Sequence, residues 1–448
     1  MTALLETRHL TKEFGTGMFN RGKPMVALED ISLAIDETPP TITAIVGESG
    51  SGKTTFARLI LGLTEPTRGE VCYRGVDLRK LDREQRRQFL RDVQVIFQDP
   101  YEVYNPFYKV DHVLTTPIEK FYIRNNGQIP EAAKEPDKWK FTVEGEVNKK
   151  LELTLGELKA KYKAQTRRMV LECGGNGRSF FSPKASGNQW TNGGAGCAEW
   201  TGVRLADVLK EAGVKPSGIY TAHYAADLHL SGDATKPTLS RGVRIAKAMD
   251  PDSMIVWAMN GQPLPNIHGG PVRLLIPGWA GSASQKWLTR IVIRDKEHDG
   301  PGMTGTSYRL TINPMVPGTK ADPKNFKILE SMPVRSIITS PANGTKLPAG
   351  TREVKLRGAS WAGDLTVKRV DVSTDYGMTW QSTKIEKPKN RYDWQRWTAS
   401  VKLPRDGYYE VWARAMDSRG QMQPHVAPNW NPSGYGGNPM HRIAVLIG

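Results

Sequence analysis

The sequence predicts an α+β chain in three parts: a truncated P-loop α/β fragment over residues 1–115, a mixed α/β domain over 116–320 and an all-β sandwich over 321–448. Three observations carry this reading. Near the N-terminus a phosphate-binding glycine loop sits between an apolar strand and a helix. The middle region strings glycine-rich loops between short apolar strands. The last part alternates apolar and polar residues in short runs broken by turn signals.

At 448 residues the chain is long enough for several domains and a sizeable core. Its hydrophobic and charged fractions, 38% and 24%, are those of an ordinary soluble globular protein. No run of about eighteen apolar residues codes a membrane span. The opening "MTALLETRHLTKEF" is charged by its sixth residue and has no apolar stretch before a cleavage site, so it does not read as a secretory signal. The compartment is left open on these grounds, and the chain as coded is expected in the cytoplasm. Residues 1–116 hold 15 Lys and Arg against 16 Asp and Glu, whereas the remainder holds 47 against 30. The basic excess therefore lies in the later parts and suits an anionic partner. The three cysteines, Cys72, Cys173 and Cys197, make no CxxC pair, which argues against a disulfide framework or a cysteine zinc site.

In the first part, "ITAIVGESGSGKTT" places an apolar strand, Ile42 to Val46, before Gly47-x4-Gly52-Lys53-Thr54, with a helical "TTFARLILGL" after it. The glycines let backbone N–H groups close around phosphates, Lys53 supplies charge and the Thr54 hydroxyl can ligate magnesium. Phe14 is a candidate platform for adenine, and Gln98 follows a short apolar strand in "VQVIFQDP". Over about residues 1–118 these features resemble the first half of an ABC-transporter ATPase of the oligopeptide or dipeptide import type. The rest of that family's machinery is missing: no LSGGQ-type signature, no apolar run ending in Asp-Glu and no switch histidine follow. Phosphoryl transfer needs the metal and the nucleophile positioned as well as the phosphates held. The fragment is therefore expected to be vestigial, with ATP and magnesium at most bound, and with sheet edge and apolar surface left uncovered.

The second part turns on "RRMVLECGGNGRSFF". Cys173 ends a short apolar strand in a loop with Gly174, Gly175 and Gly177, which exposes the thiol and brings backbone amides close to a ligand. Arg178 favours thiolate and attracts an anion, and a thiolate suits a transition metal. Further on, "NGQPLPNIHGGPVRLLIPGWAGSASQKWLTRIVI" sets His268, Arg273 and Lys286 at the ends of apolar strands, as a phosphorylated cofactor requires. "FYIRNNG" adds Arg124, Asn125 and Asn126, and "GMTGTSYRL" adds Tyr308.

In this order the motifs ECGGNGR, MNGQPLP, HGGPVR, PGWAG, KWL and TGTSY resemble the molybdenum domain of the sulfite oxidase family, bacterial sulfite dehydrogenases above all. The likeness spans roughly residues 114–448. It implies Cys173 as the protein ligand to molybdenum, alongside the dithiolene of molybdopterin. It implies that Asn125, Asn126, Asp227, His268, Arg273, Ser284 and Lys286 hold the pterin and its phosphate. Arg124, Arg178 and Tyr308 would then line the pocket for sulfite or a related oxyanion. The implied chemistry is two-electron oxygen-atom transfer giving sulfate, or its reverse in a sulfoxide or oxyanion reductase. No CxxCH is present for a covalent haem, so electrons are expected to pass to an external acceptor such as cytochrome c. No nucleic-acid partner is expected. Cys197 reads as core packing and Cys72 as a strand residue.

After "NPMVPGTKADPKNF", "LTVKRVDVSTDYGMTW" alternates up to a turn at Asp375-Tyr376-Gly377, "YYEVWARAMDSRG" alternates up to Asp417–Gly420, and "HRIAVLIG" closes the chain. These strands predict a β-sandwich, which resembles the immunoglobulin-like dimerisation domain of the same family and implies a homodimer. Leu114 to Phe121 fits both resemblances, with no Gly/Ser linker between them. The sequence is read as two coding sequences joined at that stretch. An ATP-binding subunit of a peptide importer is the rival reading.

Overall fold

The computed structural model describes residues 3–14, 25–37, 43–46, 48, 51–93, 115–236 and 238–448. The chain divides into two compact units, Met1–Pro100 and Tyr101–Gly448.

In the first unit, strand Leu5–Phe14 pairs antiparallel with Met25–Ile35 on one side and with Arg68–Tyr73 on the other; the short strand Val76–Asp77 closes the sheet. Helix Lys53–Ile60 presents Phe56 and Leu59 to a core with Leu10, Val71 and Phe89. Helix Arg83–Asp92 starts where Asp82 accepts from the Glu84 and Gln85 amides and Gln85 answers the Asp82 amide, a reciprocal cap. The predicted strand before the glycine loop is a correction. Residues 43–46 form no strand, and Ile45 and Val46 are 46% and 87% exposed. Such a strand is buried between parallel neighbours, and among the described residues none pairs with it. The predicted helix is present. Gly52 precedes it at φ 87°, and a Cβ there would lie 2.4 Å from the Ala27 carbonyl oxygen. Lys53 donates to the Glu48 carbonyl at 2.6 Å, and Phe14 is exposed. Gly47, Gln98 and the Thr54 side chain fall outside the described residues. Cys72 is a buried strand residue, as expected.

The second unit is mostly sheet with few helices. Strand Leu288–Arg294 runs parallel to Lys140–Gly145 and antiparallel to Tyr220–Ala225. A second sheet orders Gln262–Pro263, Met254–Met259, Ala195–Arg204 and Gln165–Glu172, with Arg273–Leu275 also on Met254–Met259. Helices Leu155–Lys161 and Leu205–Ala212 add Leu158, Val208 and Leu209 to the core that holds Phe141, Ile255 and Ile291. Cys197, fully buried in its strand, packs with Val170 and Trp361.

From Arg335 on, the regular elements are all strands. One sheet holds Arg335–Ser340, Glu353–Trp361, Gln395–Lys402 and Lys384–Ile385, and the other Thr345–Leu347, His441–Ile447, Gly407–Asp417, Val367–Ser373 and Gln381–Ser382. Both sheets feed one core, through Ile338, Leu356 and Trp397 from the first and Val370, Val411 and Val445 from the second. Among the described residues no helix is long and apolar enough to cross a membrane.

Candidate active site

The end of strand Gln165–Glu172 sets the site. Cys173 follows it, and its amide donates to the Gly194 carbonyl at 2.7 Å while its carbonyl accepts from the Asn176 amide at 2.9 Å. Gly177, at φ 84°, closes the turn so tightly that a Cβ would meet the Gly437 carbonyl oxygen at 2.1 Å. Behind the thiol, the Glu172 carboxylate is buried. It accepts from Arg335 Nε at 2.8 Å, Asn176 Nδ2 at 2.9 Å and Trp361 Nε1 at 2.7 Å. The Cys173 loop is thus tied to the C-terminal strands by a saturated buried pair.

Cys173 opens on a cleft that is continuous with solvent at its mouth. Arg124, Asn125, Asn126, Asp227, Arg273, Ser284, Lys286 and Tyr308 line it together with Cys173. His268 stands just behind, its Nε2 3.2 Å from the Ile118 carbonyl and its O accepting from Arg273 Nη1 at 2.8 Å. Lys286 Nζ donates to Asn125 Oδ1 and to the Ile267 carbonyl, both at 2.6 Å. Ser284 Oγ accepts from the Ile276 amide. Arg178 departs from the predicted placement: it does not line the cleft, because its Nε and Nη1 are held by the Ser433 and Asn188 carbonyls. Its charge still favours the Cys173 thiolate, as does that of Arg124, against the burial that pushes the thiol up.

The electrostatics ask for an anion. Burial lowers Lys286 far below an ordinary lysine, with Arg273 adding to it, and burial lowers Arg273 to about 10. Asp227 is pushed up to about 6 by burial. Among the described residues, Asp227 Oδ1, His268 Nδ1, Arg273 Nε and Gln285 Oε1 are buried without a hydrogen-bond partner. Such groups are costly unless satisfied, and this mixture of donors, acceptors and cations fits a polar heterocycle carrying a phosphate. Among the described residues no three His, Cys, Asp or Glu side chains group as a metal site, so a metal at Cys173 needs further ligands brought by a cofactor.

Sequence reading missed Tyr122, Ser282 and Gln285, which also line the cleft, and Glu172, Arg241, Arg335 and Tyr435 around it. Tyr122 could have been found beside Arg124 in "FYIRNNG". Arg335 and Tyr435 lie more than a hundred residues from Cys173 with no local motif to mark them.

A pH prediction arises here. Burial is the first cause lowering His223 to about 3, His268 to about 4 and His298 to about 4. Each ring stays neutral in the folded chain but takes a proton in the unfolded chain below about 6.5. Their contribution is therefore complete above about pH 6.5 and is lost as pH falls toward 4. Asp227, raised above its unfolded value, opposes this over about pH 4–6 but is one group against three. The unfolding midpoint of the cofactor-free protein, followed by circular dichroism, is expected to fall between pH 6.5 and 4.5. A flat profile would contradict neutral burial.

Three stretches of the chain match known families. Residues 126–302 match the family model described as oxidoreductase molybdopterin binding domain, and residues 326–447 match the Mo-co oxidoreductase dimerisation domain. Residues 28–170 match the ABC transporter model. That match overlaps the molybdopterin one, although strands Lys140–Gly145 and Gln165–Glu172 both pair within the second unit. The chain is 33% identical over 368 residues to the mitochondrial sulfite oxidase of Drosophila melanogaster, covering 78% of this chain but 62% of that protein, so it spans less than two thirds of that relative. It is 30% identical over 360 residues to the sulfite oxidase of Gallus gallus, covering 78% of this chain and 77% of that one. The fold is similar to the sulfane dehydrogenase SoxCD of Paracoccus pantotrophus, at a TM-score of 0.58 and 24% identity, over 82% of this chain and 95% of that one.

Proposed function

We propose that this chain, which belongs to the sulfite oxidase family of molybdopterin oxidoreductases, oxidises sulfite to sulfate and passes the electrons to an external acceptor such as cytochrome c. The observation that carries the reading is the single cleft in which Cys173, Arg124 and Tyr308 face the same space as the buried Lys286 and Arg273. Molybdopterin-bound molybdenum would supply the two-electron oxygen-atom exchange.

The chain's own residues do the rest. Cys173 gives the protein thiolate. Lys286 and Arg273 neutralise a phosphate at the buried end, where low dielectric strengthens each contact. Asn125, Asn126, Asp227, His268 and Ser284 provide polar contacts along the pterin. Arg124, at the exposed mouth, draws in a dianion, and Arg178 adds charge from behind Gly175. Tyr308 orients the anion and can hold a proton at its hydroxyl.

The domain boundaries follow as part of this reading: a molybdopterin domain over 116–320 and an immunoglobulin-like domain over 321–448 that pairs two copies. The +17 net charge after residue 116 suits an acidic redox partner. The first test is the molybdenum-to-protein ratio of chain purified from a host that makes molybdopterin, with sulfite-dependent ferricyanide reduction measured on the same sample. About one molybdenum per chain with turnover supports the reading. Loaded protein that reduces methionine sulfoxide but leaves sulfite untouched would reverse its direction.

The glycine loop before Lys53 is read as vestigial. Lys53→Ala is expected to change sulfite turnover per molybdenum by less than about twofold, the scale of a surface substitution. ATP hydrolysis abolished by that change would restore the importer reading.

A further inference from the structure

We infer that Tyr435 is a positioning residue for Tyr308, so that the C-terminal strands' own loop completes the anion wall of the cleft. The inference rests on the oxygen-transfer reading of that cleft. It starts from the backbone. Tyr308 is a bulky residue at φ 49°, a left-handed conformation that persists only where the surroundings hold it.

Two groups do so. The Tyr435 ring stacks on that of Tyr308, centroids 4.8 Å apart and planes within 19°. The Arg241 guanidinium lies 4.6 Å from the Tyr308 centroid. Arg241 is fully buried and donates to the Gly302 carbonyl, while its Nε and Nη2 find no hydrogen-bond partner among the described residues. The Tyr308 ring face is then its main electrostatic compensation.

Tyr435 is itself fixed. Its amide donates to Asn431 Oδ1 and its carbonyl accepts from Asn431 Nδ2, both at 3.0 Å. The Arg178 guanidinium lies 5.1 Å from its ring. The next residue, Gly436, donates its amide to the Gly174 carbonyl at 3.1 Å, one residue beyond Cys173. The stack is thus referenced to the metal-facing loop. Burial pushes the Tyr435 hydroxyl up to about 12, against a hydrogen bond from the Tyr308 backbone that favours the opposite, so the uncharged phenol holds Tyr308 by its hydroxyl as well as by its ring. Sequence position hides all this, because Tyr435 stands 127 residues after Tyr308 with no motif linking them.

The test compares Tyr435→Ala, Tyr435→Phe, Tyr308→Phe and the Tyr308→Phe/Tyr435→Ala double variant, each as cofactor-loaded full chain with rates per molybdenum. Tyr435→Ala is expected to lower kcat for sulfite about tenfold or more, since misplacing a reacting group by about an ångström can cost that much. Tyr435→Phe keeps the stack and loses only the hydroxyl's contact with the Tyr308 backbone, so its loss should be clearly smaller than that of Tyr435→Ala. In the Tyr308→Phe background, Tyr435→Ala should add less than about twofold, because it acts through the missing hydroxyl. Sulfate affinity by calorimetry should weaken in both Tyr435→Ala and Tyr308→Phe. Fully multiplicative losses in the double variant, or a Tyr435→Phe as damaged as Tyr435→Ala, would overturn the inference and make Tyr435 an independent contact. A parent protein without sulfite turnover sinks the functional reading alone. The crystal structure of Tyr435→Ala then decides the positioning: a displaced Tyr308 ring upholds it and an unmoved one ends it.

Discussion

Cys173→Ser is expected to abolish sulfite turnover while leaving the unfolding midpoint of the cofactor-free protein unchanged. The thiolate is the one soft ligand the cleft offers among the described residues, and a hydroxyl is both harder and far less acidic. The loss should exceed the roughly 10–100-fold that removing a supporting residue costs a metal site. The fold should survive because Cys173 is held by its backbone, through Gly194 and Asn176, and its side chain faces the cleft. Steady-state kinetics and the molybdenum ratio check this on one preparation. Full activity in the serine variant would remove the assignment of Cys173 as the metal ligand.

Breaking the pair beneath it should unfold the region instead. Glu172 and Arg335 are 3% and 0% exposed, and Arg335 also donates from Nη2 to the Asn176 and Gly437 carbonyls. Glu172→Gln strands a buried guanidinium, and Arg335→Gln strands a buried carboxylate. Either is expected to cost about 3–5 kcal/mol, the scale for removing one partner of a buried pair. That is a large share of the roughly 5–15 kcal/mol that holds a domain folded. The double Glu172→Gln/Arg335→Gln variant buries no charge and can retain an amide hydrogen bond, so it should be more stable than either single change. Calorimetric unfolding of the three variants, with molybdenum content alongside, measures this. Additive destabilisation in the double variant would show that the two residues act separately. Because Asn176 and Gly437 belong to the same knot, molybdenum loading should fall with stability in the single variants.

The sequence by itself determined the chemistry on offer. The Cys173 loop, "FYIRNNG", the His268 to Lys286 stretch and "TGTSY" were legible because each is a short segment whose residue types serve local backbone needs and a ligand at once. The alternating strands of the last part were legible for a similar reason, since period-two patterning records which face is buried. Helix Lys53–Ile60 followed from its own residues, but the strand before its loop did not form, because a buried parallel strand is made by neighbours and not by its own apolar run. Only the tertiary structure decided which of the predicted groups meet. It gathered Asn125 with Lys286 across 161 residues, turned Arg178 away onto the Ser433 and Asn188 carbonyls, and brought Arg335 and Tyr435 from the far end of the chain behind Cys173 and Tyr308. Desolvation and long-range pairing set those outcomes, and neither leaves a signal within a window of neighbouring residues.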